Sequence, residues 1–148
     1  MIQKRYKTAA FVVLAQIGFT VILIPIAWFL AVNIENAISP RSVTTLWVGI
    51  LFIALGTFVL RRMLYRWDRL RDIVLLKGID GLLASLQTST ILLGAMAEIV
   101  AILGFLIAVL GGVAFDMFRA AVVALVIFLI NFPRRSIWEK ITANLGNV

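Results

Sequence analysis

Ala95-Met96-Ala97-Glu98-Ile99-Val100-Ala101-Ile102-Leu103-Gly104 places one carboxylate near the middle of an apolar run that extends from about Leu82 to Leu110. About 20 such residues suffice for a helix to cross the hydrocarbon of a bilayer. The run therefore reads as a transmembrane helix. A carboxylate at that depth is costly to bury, so Glu98 is a functional-site candidate by default.

Composition widens that reading to the whole chain. Of 148 residues, 63% are hydrophobic and 14% charged, with a mean hydropathy of +1.09. A soluble domain sits nearer 45–50% apolar and about 25% charged. An integral membrane protein of one domain, residues 1–148, is expected. The net charge of +7 does not point to nucleic acid. Its basic residues lie at the ends of apolar runs, where orientation signals belong, and no basic face covers a soluble fold. With no Cys and no His, disulfides, thiolate chemistry, cysteine lipidation and histidine-ligated metal are excluded, and neither metal nor cofactor is expected.

Upstream, Lys4, Arg5 and Lys7 precede an apolar run over 8–32. It is too long for a signal-peptide core and has no clean small-residue cleavage site, so it reads as a first span. Gln16 and Thr20 are its interior polar residues, and Pro25 is expected to bend it. A polar link over 33–41 ends at Pro40, which suits a helix start. The second span covers 43–60, with Gly49 and Gly56 near one face, where small residues allow close helix approach or occur by chance.

Residues 61–77 are the most charged stretch. Arg61, Arg62, Arg66, Arg69 and Arg71 alternate with Leu64, Trp67, Leu70, Ile73 and Val74 at helical spacing. The second helix is expected to continue out of the bilayer, or to turn along its surface, as an amphipathic cytoplasmic segment, with Tyr65 and Trp67 in an interfacial belt. Its plain role is anchor and orientation signal; its sharper one is a docking surface for anionic lipid or an acidic partner. Gly78 and Gly81 mark the turn into the third span, 82–110.

Gly111-Gly112 ends that span. Asp116 is placed to cap the fourth helix and to pair with Arg119. The fourth span covers 117–132 and Pro133 closes it. Arg134 and Arg135, then Trp138, Glu139 and Lys140, read as an interfacial anchor, and Asn144-Leu145-Gly146-Asn147 as a frayed end.

Charge fixes the expected topology. Every Lys and Arg except Arg41 and Arg119 falls at the two termini or in the central link. Four spans with both termini in the cytoplasm of an inner-membrane protein satisfy the positive-inside rule. A tandem two-helix repeat is a candidate: Ala15-Gln16-Ile17 matches Ala97-Glu98-Ile99, and Phe58-Val59-Leu60-Arg61-Arg62 with Trp67 matches Asn131-Phe132-Pro133-Arg134-Arg135 with Trp138. Gln16 would then be the neutral counterpart of Glu98.

Three roles compete for Glu98. It carries its proton and hydrogen-bonds inside the bundle, to Gln16 or a hydroxyl such as Thr90; it binds and releases H⁺ or Na⁺; or it pairs with a cation on another subunit, since no Lys or Arg of this chain lies deep within a span, Arg119 standing at the edge of the fourth. Enzyme chemistry is not expected. There is no paired acidic motif in the bilayer and no phosphate loop, and Lys77, Ser85 and Ser89 form no recognisable nucleophile arrangement.

Ala97-Glu98-Ile99-Val100-Ala101-Ile102-Leu103-Gly104-Phe105-Leu106 resembles the ion-carrying helix of rotary ATPase proteolipids, the c-type ring subunits. Four spans in 16.4 kDa resemble the doubled vacuolar-type forms. The resemblance implies that Glu98 carries the ion. The chain departs from that family in three ways: 43–60 lacks alternating glycines, 61–77 is longer and more charged than a proteolipid loop, and the carboxylate lies on the third helix. The whole pattern, with Gly111-Gly112, Phe115-Asp116-Met117-Phe118 and Phe132-Pro133-Arg134-Arg135 before Trp138-Glu139, also resembles an uncharacterised family of small four-span bacterial inner-membrane proteins.

The expectation is an all-α four-helix transmembrane bundle acting through its helix faces. The leading reading is a structural or accessory subunit partnered by lipid and by other membrane subunits or copies of itself. The alternative is a proton- or Na⁺-translocating component using Glu98.

Overall fold

The computed structural model describes residues 1–146. Its helices are α1 (Ile2–Val32), α2 (Pro40–Leu64), α3 (Trp67–Gly111), α4 (Ala114–Asn131) and α5 (Arg135–Leu145). Those beginning at Ile2, Pro40, Trp67 and Ala114 are long and apolar enough to cross a membrane, as a multi-pass membrane protein requires.

Local chemistry explains the helix ends. Ser39 caps α2, its hydroxyl accepting from the Ser42 amide at 3.3 Å, and Pro40 takes the first helical position, where a missing N–H costs nothing. Gly112 adopts φ 68°, ψ 17° after α3, and its N–H bonds the Ala108 carbonyl, a left-handed stop that suits glycine. Phe132 is extended before Pro133, as a residue preceding proline must be, and this separates α4 from α5. Pro25 does not interrupt α1.

Two expected elements are built differently. The basic stretch 61–77 is not a single continuation of α2. That helix stops at Leu64, and the chain turns at Tyr65–Arg66 and restarts at Trp67. Residues 61–64 form the last turn of α2, and 67–77 become the start of α3, set off from the spanning part by Gly78 at φ 67°, ψ −172°, a backbone region essentially restricted to glycine. Asp116 does not cap α4. Val113 holds that position, and Asp116 lies buried in the first turn.

α3 is the hub. It touches α1, α2, α4 and α5. α1 also packs on α4, whereas α1 and α2 make no contact among the described residues. α1, α3 and α4 therefore form a closed triangle, with α2 laid against α3 and α4. The packing runs in three layers. Ala9 meets Leu82, Leu83 and Leu86; Val13 joins Ala97, Val100 and Ala101; Leu23 and Ala27 join Ala108. Partners rise together along both chains, so α1 and α3 run parallel.

Small residues bring α3 and α4 together. Ala97, Ala101, Gly104 and Ala108 face Ala120, Ala121 and Ala124, all buried. A Cβ added at Gly104 would overlap the Ala120 Cβ. The glycines of α2 do nothing comparable, because nothing lies within 4 Å of a Cβ built on Gly49 or Gly56.

Both termini gather at one end of the molecule. Trp138 is buried against Tyr6, edge to face at 6.0 Å, among Ala9, Leu70, Leu82, Leu86 and Leu145. Residues 135–145 thus form a packed helix rather than a frayed end, because one apolar face of α5 covers α1 and the start of α3. Asn147 lies outside the described residues.

Candidate intramembrane polar site and basic end

Glu98 stands half-buried on α3. At roughly 100° per residue it is rotated about 40° from Gly94, one turn below. That places it at the border between the face packed on α1 and the open arc carrying Leu92, Ile99, Ile102 and Leu106. It forms no hydrogen bond or ion pair among the described residues.

The polar residues of α1 come to the same level. The Gln16 amide presses on α3 so closely that a Cβ on Gly94 would overlap its Oε1. Thr20 lies one turn further along α1, as Glu98 lies one turn further along α3. Because the two helices are parallel, Thr20 and Glu98 stand at matching height. Gln16 Oε1 and Thr20 Oγ1 are both buried and have no hydrogen-bond partner. Polar atoms in that condition cost free energy until something satisfies them. The two helices therefore offer two unmatched oxygens at about the level of the Glu98 carboxylate, able to take a hydrogen-bond donor, water or a cation.

Thr90, an expected partner of Glu98, is engaged elsewhere. Its hydroxyl bonds the Leu86 carbonyl at 2.9 Å and the Tyr65 hydroxyl at 3.2 Å. The sequence singled out Gln16 and Glu98, but not Thr20 as a site residue. Its spacing of four from Gln16 was the available signal.

The basic residues divide. Arg61 crosses to α4 and donates to the Ile130 carbonyl at 2.6 Å. It lines a cavity of about 390 Å³ with Arg134. Arg66 pairs with Asp68 at 3.6 Å in solvent, Arg69 donates to the Leu64 carbonyl at 2.8 Å, and Arg135 pairs with Glu139 at 2.7 Å. Arg62 and Arg71 are exposed. Exposed pairs of this kind contribute about 0–1 kcal/mol, so they shape the surface more than they hold the fold.

At the opposite end, Arg119 donates to Asp116 at 3.3 Å and lies 4.9 Å above the Phe115 ring. Lys77, Ser85 and Ser89 line one groove beside Arg69 with no hydrogen bond between them. No group of three or more His, Cys, Asp or Glu that could hold a metal ion occurs among the described residues. Compared with known proteins, the chain matches no family model, and no curated protein or solved structure is significantly similar to it.

Proposed function

We propose that this chain is an accessory subunit of an inner-membrane complex, with both termini in the cytoplasm, and that it docks through α2. The carrying observation is the bare glycine face of that helix. Of its most apolar window, 11% is buried within the chain, against 44% for α3. Lipid tails are as apolar as leucine, so membrane helices associate where small residues let backbones approach. Within this chain Gly94 and Gly104 are used that way, whereas Gly49 and Gly56 face open space beside Phe52, Leu55 and Val59. The close approach they permit is available to a helix from outside. The orientation rests on the basic residues gathered at the end that carries both termini.

A photo-crosslinking side chain placed at Leu55 in cells tests this reading. A discrete adduct with another membrane polypeptide is the expected result. Adducts with lipid alone would overturn it, and an adduct of twice the chain's mass would replace the accessory role with self-assembly.

A second reading is favoured by the unmatched oxygens of Gln16 and Thr20: Glu98 binds and releases H⁺ or Na⁺ between α1 and α3. Glu98→Gln should then abolish flux in reconstituted vesicles while leaving the fold intact. Flux unchanged by that substitution removes the reading.

A further inference from the structure

We infer that the cavity between the end of α2, the end of α4 and the start of α5 holds the headgroup of an anionic glycerophospholipid. Three observations converge there. First, two guanidinium groups from distant segments line it, Arg61 and Arg134. Arg61 is held in place by its bond to the Ile130 carbonyl, which leaves its remaining N–H donors free. A phosphodiester is a fitting acceptor for such groups, because charge-assisted bonds to guanidinium are short and strong. Second, Asn131 also lines the cavity. Its Nδ2 bonds the Ile127 carbonyl, while its Oδ1 is buried with no partner. An acceptor left unmatched requires a donor from outside the chain. A glycerol hydroxyl on the headgroup supplies one, and the lipid is told from a free anion by the rim rather than by this bond.

Third, the rim is apolar. Ile130 and Ile137 are both part-exposed at the cavity, and the buried Trp138 forms its wall. An acyl chain leaving the headgroup would lie along that rim, whereas a free anion gains nothing from it. The cavity also stands where the apolar part of α4 ends at Asn131–Phe132, the level at which headgroups meet a spanning helix. Pro133 creates the space: it stops α4 and turns the chain so that Arg134 faces back toward Arg61.

Native mass spectrometry of the full chain in mild detergent, titrated with phosphatidylglycerol, tests the inference. Wild-type protein should retain one phosphatidylglycerol in preference to phosphatidylcholine, which lacks the net charge and the hydroxyl donor. Arg134→Gln, at a side chain with no hydrogen bond of its own, should weaken retention about tenfold, as expected for loss of one charge-assisted bond. Arg61→Gln should do the same. Arg62→Gln and Arg71→Gln, made singly, each remove the same one charge outside the cavity and should leave retention within about twofold. Equal losses in both sets would reduce the effect to general surface charge and overturn the site. Displacement of the lipid by inorganic phosphate would overturn the lipid in favour of a free anion.

Discussion

The α3–α4 hairpin closes on itself along its length, whereas α1 and α2, joined by a longer link, do not touch. Both hairpins are equally apolar, so hydrophobicity does not separate them. Shape does. α3 and α4 present alanine and glycine to one another and approach closely, with Gly104 against Ala120. α2 turns its glycines outward, and α1 spends its small residues, Ala9 and Ala27, on α3. In a bilayer, burying leucine against leucine gains little over leaving it in lipid. Connectivity alone therefore does not pair neighbouring helices, and packing decides which hairpin is a unit.

The contrast is sharpest at the two tryptophans that follow the two double-arginine exits. Trp67 is 49% exposed and Trp138 is 1% exposed. If the two halves were equivalent, truncating either ring would weaken the protein equally. The expected outcome is unequal. Trp138→Ala opens the cluster that joins α1, α3 and α5 and should cost about 3–5 kcal/mol. Trp67→Ala should stay within about 0.5 kcal/mol. Thermal unfolding in one detergent compares them, and similar shifts would restore the symmetry that the fold lacks.

The next largest effect separates the glycines. Gly104→Val forces a branched side chain into the α3–α4 contact and should destabilise by about 1–3 kcal/mol, the usual range for overpacking. Gly56→Val meets open space and should leave the melting temperature of the purified chain nearly unchanged. Yet it should abolish the Leu55 crosslink, because the proposed partner needs the room. A Gly56 variant that still crosslinks at full yield would separate α2 exposure from α2 docking.

Much of this fold was legible from sequence because punctuation is local. Pro40, Gly111-Gly112 and Pro133 act through the backbone of their own neighbourhood, and they mark helix ends whatever surrounds them. The rotation of each helix about its axis was not legible. A span that is apolar all round carries no stripe to say which side faces a neighbour, so Gly49 and Gly56 stand out as packing candidates while the glycines that pack inside the chain are Gly94 and Gly104. Trp138 close after two arginines reads as an interfacial anchor until Tyr6 and Leu70 are placed around it. The break at Gly78 was visible as a turn signal, but its consequence was not. The basic segment is divided between the last turn of α2 and the start of α3 because Tyr65–Arg66 turn the chain, and neither residue is a strong turn former. At the polar site, Glu98 and Gln16 stand out from sequence by their chemistry. Their register does not, since the candidate repeat would align Gln16 with Glu98 while the packing sets Gln16 against Gly94.

That one-turn offset makes the smallest of these effects the most informative. If Gln16 Oε1 were simply an unmatched acceptor, Gln16→Leu would be neutral or stabilising, since removing an unsatisfied buried group relieves its desolvation. If Glu98 donates to it, or both ligate one occupant, the substitution should cost about 1 kcal/mol, the scale of a polar contact between membrane helices. The expected outcome is that loss, together with non-additivity. Gln16→Leu and Glu98→Leu combined should destabilise by less than their sum, with a coupling of about 0.5–1 kcal/mol in a double-mutant cycle. Additive losses would place the two side chains in separate environments and detach Glu98 from α1. The same cycle run with Thr20→Val in place of Gln16→Leu tells which oxygen the carboxylate engages. Coupling to Thr20 alone would mean that the residues at matching height, rather than those the candidate repeat would align, form the working pair.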